Sequence, residues 1–136
     1  MPDPPLRILA VDDTVVYRRI LSQVVEDLPD TELAGTAPHG KIALAKMQQT
    51  PIDVVLLDIE MPEMDGLETL EAIRAQYPET GVIMVSAANR KSATIVVECL
   101  ERGAFDFVSK PEGTSPDESR QMLMEPLRRL INSFRS

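Results

Sequence analysis

The run Ile52-Asp53-Val54-Val55-Leu56-Leu57-Asp58, closed off by Pro51 before it and Pro62 soon after it, is the stretch that most restricts the fold. A short, near-continuous apolar run of this kind reads as a strand buried on both faces, and such strands belong to parallel sheets covered by helices on both sides. Asp58 stands where the strand runs out. In open α/β sheets ligands bind beyond the carboxyl ends of the strands, so an acid at this position is well placed for chemistry. The bland alternative is that Asp58 merely caps a turn or helix, and only groups supplied by other strand ends argue against it.

The rest of the chain repeats the same alternation. Leu6 to Val11 reads as a strand ending in Asp12-Asp13, and from Thr14 the positions Val16, Ile20, Leu21, Val24, Val25 and Leu28 recur at helical spacing up to Pro29. Thr31 to Ala37 is a second strand and Gly40 to Gln49 a second helix. After the run ending at Asp58, Pro62 prevents direct continuation into helix, and Asp65 caps a third helix, with Glu68 placed for a capping box and Leu67, Leu70 and Ile73 facing inward. Val82 to Val85 is a fourth apolar strand delivering Ser86. Lys91 to Arg102 follows as a helix with Ile95, Val96, Cys99 and Leu100 as its stripe, and Gly103 closes it. Asp106 to Val108 is a short fifth strand delivering Ser109-Lys110-Pro111. In the last helix Ser115 is the cap, Pro116 the first residue and Glu118 the partner of the box, while Leu123, Leu127, Leu130, Ile131 and Phe134 face the core. A kink or break is expected at Pro126. Five alternations of strand and helix call for a parallel sheet with helices on both faces and right-handed crossovers.

Length and charge bound the function. The 136 residues make one domain, 1–136, with residues 1–5 as a flexible proline-rich lead and no output domain attached. A formal charge of -8 argues against direct nucleic-acid binding, which needs clustered Lys and Arg. No apolar run is long enough to span a bilayer, so no membrane role is expected, and the start lacks the pattern of a signal peptide; a cytoplasmic location is the default. Cys99 is the one cysteine and His39 the one histidine, which leaves no disulfide and no thiolate or imidazole metal site; Cys99 reads as a buried small hydrophobe and His39 as a surface-loop residue.

In such a sheet all strands point one way, so Asp12, Asp13, Asp58, Ser86 and Lys110 converge along one edge. Carboxylates about 4 Å apart repel by several kcal/mol per pair at an effective dielectric near 20, so the cluster must hold protons or bind a cation. Oxygen-only ligands select a hard ion, and a site of few carboxylates that keeps waters suits Mg²⁺. A cation beside Asp58, an ammonium opposite and a hydroxyl to one side form a receptacle for a phosphoryl group. Asp58 is the natural nucleophile, because carboxylates form aspartyl-phosphate intermediates.

Val11-Asp12-Asp13, the stretch from Asp58 through Glu60 and Pro62 to Asp65-Gly66, Val85-Ser86-Ala87 and Phe107-Val108-Ser109-Lys110-Pro111 resemble, in order, the four motifs of the response-regulator receiver domains of two-component signalling. The resemblance covers nearly the whole chain. It implies a flavodoxin-like (βα)5 fold with strand order 2-1-3-4-5 and a histidine kinase that donates phosphate to Asp58. It also implies that Asp13, Asp58 and the backbone carbonyl of Glu60 ligate Mg²⁺ directly while Asp12 acts through water. Lys110 and Ser86 would contact the phosphoryl group, helped by the backbone N–H groups of Ile59, Glu60 and Ala87, and the Lys110–Pro111 bond would be cis. Phe107, which on its own reads as a core residue, aligns with an aromatic that moves inward when the Ser86 hydroxyl swings toward phosphate.

Lys110-Pro111-Glu112-Gly113-Thr114, with the two acidic motifs, is most similar to the receiver half of chemotaxis protein-glutamate methylesterases. That similarity implies a domain that regulates an output or partner through the last two helices and the fifth strand, itself catalysing only its own phosphorylation and dephosphorylation. A stand-alone receiver of another pathway is the alternative. An Mg²⁺-dependent phosphatase with Glu60 as second acid lacks a cap domain, and a flavodoxin-type nucleotide carrier would need a phosphate-cradling loop where Asp12-Asp13 stands.

Overall fold

In the computed structural model, residues 4–61 and 64–136 are described. Strands β1 (Leu6–Val11), β2 (Thr31–Ala37), β3 (Val54–Asp58), β4 (Gly81–Ser86) and β5 (Asp106–Ser109) alternate with helices α1 (Val15–Asp27), α2 (Gly40–Gln49), α3 (Gly66–Gln76), α4 (Arg90–Glu101) and α5 (Pro116–Arg135). All pairings are parallel and the order is β2-β1-β3-β4-β5, the flavodoxin-like arrangement expected.

Every residue of β3 and β4 is buried, which is why these strands read as unbroken apolar runs. The period of two still sorts them. Ile8, Ala10, Val54, Leu56, Ile83 and Val85 point to one face and meet Ile20, Leu21 and Val24 of α1 and Leu123, Leu127 and Ile131 of α5. Leu9, Val11, Val55, Leu57, Val82 and Met84 point to the other face, against Ala43 of α2, Leu70 and Ile73 of α3 and Val96 and Cys99 of α4. Burial of Cys99 in that second layer matches its expected role.

Side chains fix where the helices start. Thr14 caps α1, Asp65 caps α3 through Glu68 N–H (2.9 Å) and Asn89 caps α4 through Ser92 N–H (2.8 Å). At α5 the capping box of Ser115 and Glu118 is complete, with Pro116 in the first turn. At α3 the arm from Glu68 back to the cap is not formed, so the box expected there is a simple N-cap. His39 also caps a helix, which the loop reading did not foresee: its Nδ1 accepts from Ile42 N–H at 3.5 Å at the start of α2.

Two further expectations need correction. Pro126 does not break the last helix, which runs on from Pro116 to Arg135. Leu123 before it and Leu127, Leu130 and Ile131 after it are all buried on the sheet, and this anchoring on both sides keeps the helix continuous through a residue that lacks an N–H donor. Leu100, assigned to the inward stripe of α4, is exposed. The proline-rich lead falls partly on residues outside those described, as does Pro62, while the Pro4 carbonyl accepts from Arg135 Nη1 at 3.3 Å.

Gly66 is required where α3 meets the end of β3. A Cβ there would lie 2.6 Å from the Asp58 carbonyl oxygen and 2.7 Å from Ile59 Cα, while its own N–H donates to Ile59 O at 2.8 Å. The bare backbone thus seats α3 directly on the strand end that carries Asp58.

Candidate functional site

The parallel sheet gathers the polar strand ends on one edge. Asp12 follows β1 with no exposed surface, Asp58 closes β3 at 5% exposure, and the neighbouring Asp13 faces solvent. One carboxylate oxygen from each of these three residues lies within 4.8 Å of the others. Lys110, just past β5, places Nζ 2.8 Å from Asp12 Oδ2 and 3.3 Å from Asp58 Oδ1. Asp12, Asp13, Asp58 and Lys110 are therefore brought together as the sequence motifs require.

The first turn of α1 holds Asp12 in place. Thr14 donates to Asp12 Oδ1 from both its N–H and its hydroxyl, each at 2.9 Å, and Arg18 Nη1 donates to the Asp12 carbonyl at 2.8 Å. Asp12 Oδ2 is buried and has the charge of Lys110 beside it but no hydrogen bond of its own. Lys110 is directed by its backbone: its N–H donates to Ser86 O at 2.7 Å and continues the β4–β5 ladder. The Lys110–Pro111 bond is trans, against the expectation of a cis bond. The ladder bond and the two carboxylates set the direction of the lysine in its place.

Burial, then the charge of Asp12, push the Asp58 carboxyl up to about 7, against the pull of Lys110. For Lys110 burial works downward, but its contacts with Asp12 and Asp58 outweigh burial and leave the ammonium firmly charged. Three carboxylates with one ammonium leave excess negative charge in a half-enclosed space. A hard divalent cation fits this donor set: the donors are all oxygen, and Asp12 Oδ2 is a buried acceptor that its ion pair with Lys110 does not saturate.

A cavity of about 580 Å³ opens beside Asp58, lined among others by Asp13, Ile59, Glu60, Ala87 and Lys110. The residues expected to offer backbone donors thus border one space. The Ile59 N–H, however, already donates to Val85 O at 3.3 Å, so it reaches a ligand only by giving up that bond. Ser86 is buried but lines a second cavity of about 580 Å³, together with Val97, Leu100 and Phe107. Ala87 borders both cavities. Phe107 is 39% exposed and forms part of that second wall, so the reading of it as a core residue is corrected. Ser86 and Phe107 thus line one cavity together, while Asp13, Asp58 and Lys110 line the other.

Some residues of the site went unnoticed in the sequence. Lys91 lies 3.9 Å from Glu60 Oε1 across the cavity rim, and Ile95 and Met61 give the same cavity an apolar side. Tyr17 presents its ring to Lys110 Nζ, 4.3 Å from the centroid. An aromatic residue in the first turn after the Asp12-Asp13 pair was the available signal for Tyr17; nothing in the sequence marked the pairing of Lys91 with Glu60.

Comparison with known proteins agrees with this geometry. The profile described as "Response regulator receiver domain" matches residues 8–123. Among curated proteins, the protein-glutamate methylesterase/protein-glutamine glutaminase of Desulfotalea psychrophila is 38% identical over 130 residues, 96% of this chain and 36% of that protein. Its counterpart in Trichodesmium erythraeum is 44% identical over 115 residues, 85% and 33% respectively. The chain thus spans about a third of the length of these relatives. Among solved structures, the response regulator domain of Thermotoga maritima CheB superposes with a TM-score of 0.84 at 36% identity, covering 97% of this chain and 98% of that one. CheY in the CheX-CheY-BeF3-Mg complex of Borrelia burgdorferi gives 0.73 at 32% identity, covering 91% and 90%. The complex of the P1 domain of CheA3 with CheY6 from R. sphaeroides gives 0.74 at 31%, covering 96% and 99%. With its doubly wound sheet, its acidic strand ends and the lysine that faces them, the chain belongs to the response regulator receiver domains.

Proposed function

We propose that Asp58 accepts a phosphoryl group from a histidine kinase with the help of Mg²⁺, and that the phosphorylated domain switches an output or partner protein. The observation that carries this reading is the buried Asp58 carboxylate facing Lys110 at 3.3 Å, with Asp12 and Asp13 beside it and an open cavity in front. Mg²⁺ would be held by Asp13, Asp58 and the Glu60 carbonyl, with Asp12 acting through water, and would supply charge neutralisation at the transferring phosphoryl group. The chain's own residues do the rest. Asp58 attacks phosphorus through a carboxylate oxygen as the bond from phosphorus to the donor breaks, and the leaving group departs with those electrons. Lys110 holds an ammonium against the equatorial oxygens, and the N–H groups of Glu60 and Ala87, with that of Ile59 once released, face the same space.

The partner assignments rest on relatives whose structures hold BeF3 and Mg, or the P1 domain of CheA3. The output is a methylesterase domain, as in the curated relatives, and the surface that carries the signal is that of α4, β5 and α5. That surface exposes Val97, Leu100, Phe105, Phe107 and Met122, an apolar patch suited to a protein contact. Ser86 and Phe107, which share the wall of one cavity, are the switching pair. The test is intact-mass measurement after incubation with acetyl phosphate and Mg²⁺. One phosphoryl group is expected on the native chain and none on Asp58→Asn or in the presence of a chelator; labelling that survives either change refutes the assignment.

A further inference from the structure

The ring of Tyr17 lies against the ammonium of Lys110, 4.3 Å from Nζ, and Tyr17 has no part in the wall of the carboxylate cavity. Lys110 therefore stands between the ring and the site. The position of the ring is set independently of the lysine. Tyr17 N–H donates to the Thr14 cap at 3.2 Å, Thr14 in turn donates twice to Asp12, and the Tyr17 side chain packs on the core layer of α1 and α5. One turn of helix thus fixes both Asp12 and the ring.

Lys110 needs such a support. A lysine is a flexible four-carbon stem carrying a point charge with three donors, and two carboxylates at 2.8 and 3.3 Å compete for it. Any change of charge at Asp58 alters that competition. An aromatic face attracts a cation from a third direction and does so most strongly where water is excluded; the Lys110 side chain is only 17% exposed.

We propose that Tyr17 is a positioning residue for phosphoryl transfer: its ring face holds the Lys110 ammonium beside Asp58, already in place for the charge of an incoming phosphoryl group. The inference rests on the reading of Asp58 as the acceptor. Tyr17 acts through Lys110 and touches neither donor nor metal, so its loss lowers the rate at saturation and leaves the concentrations for half-maximal rate in place.

The test uses the full chain with acetyl phosphate and Mg²⁺, followed by intact mass against time. Tyr17→Leu is expected to slow labelling at saturation about five- to tenfold, whereas Tyr17→Phe, which keeps the face, stays within about twofold of the native rate. A second readout needs no phosphorylation: the ring current of Tyr17 shifts the Lys110 ε-methylene protons upfield in the NMR spectrum, a shift that Phe retains and Leu abolishes. Labelling of Tyr17→Leu at the native rate, or slowing of Tyr17→Phe to the same degree as Leu, overturns the role of Tyr17 alone. If the native chain takes up no phosphoryl group, the acceptor reading fails and this role with it.

Discussion

The elevation of the Asp58 carboxyl to about 7 has a consequence for stability that can be measured without any phosphodonor. In the unfolded chain this group titrates near 3.8, so between about 4 and 7 the folded protein binds a proton that the unfolded chain has lost. Stability therefore falls as pH rises through this window, and above it the cost of an ionised Asp58 is complete. About three pH units correspond to about 4 kcal/mol as an upper bound, and because water reaches the cavity beside Asp58 about 2–4 kcal/mol is expected. The pull of Lys110 is already contained in that figure. Asp58→Asn keeps the shape and removes the charge, so in chelator-treated protein at pH 8 it should be the more stable form. For 136 residues the unfolding entropy is about 0.3 kcal/mol per degree, which makes the gain about 7–14 °C in Tm. At pH 4 both side chains are neutral in the folded state and the gain should vanish. Saturating Mg²⁺ should close the gap from the other side, since a ligand at a hundred times its Kd adds about 2.7 kcal/mol to the native protein. Calorimetric scans at pH 4, 6 and 8 decide the matter. A Tm for Asp58→Asn at or below the native value at pH 8, or a gain independent of pH, would refute the claim that burial and the charge of Asp12 govern this carboxylate.

Two further substitutions probe the frame around the site. Gly66→Ala puts a methyl 2.6 Å from the Asp58 carbonyl oxygen, and because the obstacle is backbone the strand end must shift; a loss of about 1–3 kcal/mol by urea unfolding is expected, together with weaker Mg²⁺ binding. Pro126→Ala restores an N–H to a helix that is already continuous, and a gain of about 1–3 kcal/mol in the same assay is expected; no change would mean that the proline is not strained where it stands.

Much of the fold could be read because local and global signals agree in it. β3 and β4 are buried on both faces, so their residues had to be apolar throughout, and proline or glycine punctuation marked their limits. The acids and Lys110 were legible for a related reason: a polar residue ending a buried strand of a parallel sheet can lie only on one edge. What sequence reading missed depends on contacts between elements. Pro126 is tolerated because buried leucines on both sides of it outweigh its local preference, and no helix rule contains that information. Phe107 follows the same alternation that sends Val108 inward under α1 and α5; it points to the α4 side, where a cavity stands instead of a packed layer. The trans bond before Pro111 reflects a choice that tertiary context makes between two accessible isomers. The pairing of Tyr17 with Lys110 joins the first helix to the residue just past the fifth strand, and only the strand order brings them together.

Ala87 borders both the carboxylate cavity and the cavity of Ser86 and Phe107, and so one residue is common to the walls of two spaces of about 580 Å³ each. A displacement of that shared wall would alter the room in both. An anion admitted on the Asp58 side and an apolar group lodged on the Phe107 side would then be coupled through Ala87. Thermodynamic reciprocity then applies: whatever factor the first imposes on the affinity of the second, the second returns in equal measure. A compound that wedges the apolar compartment would report on the acidic one without touching a carboxylate.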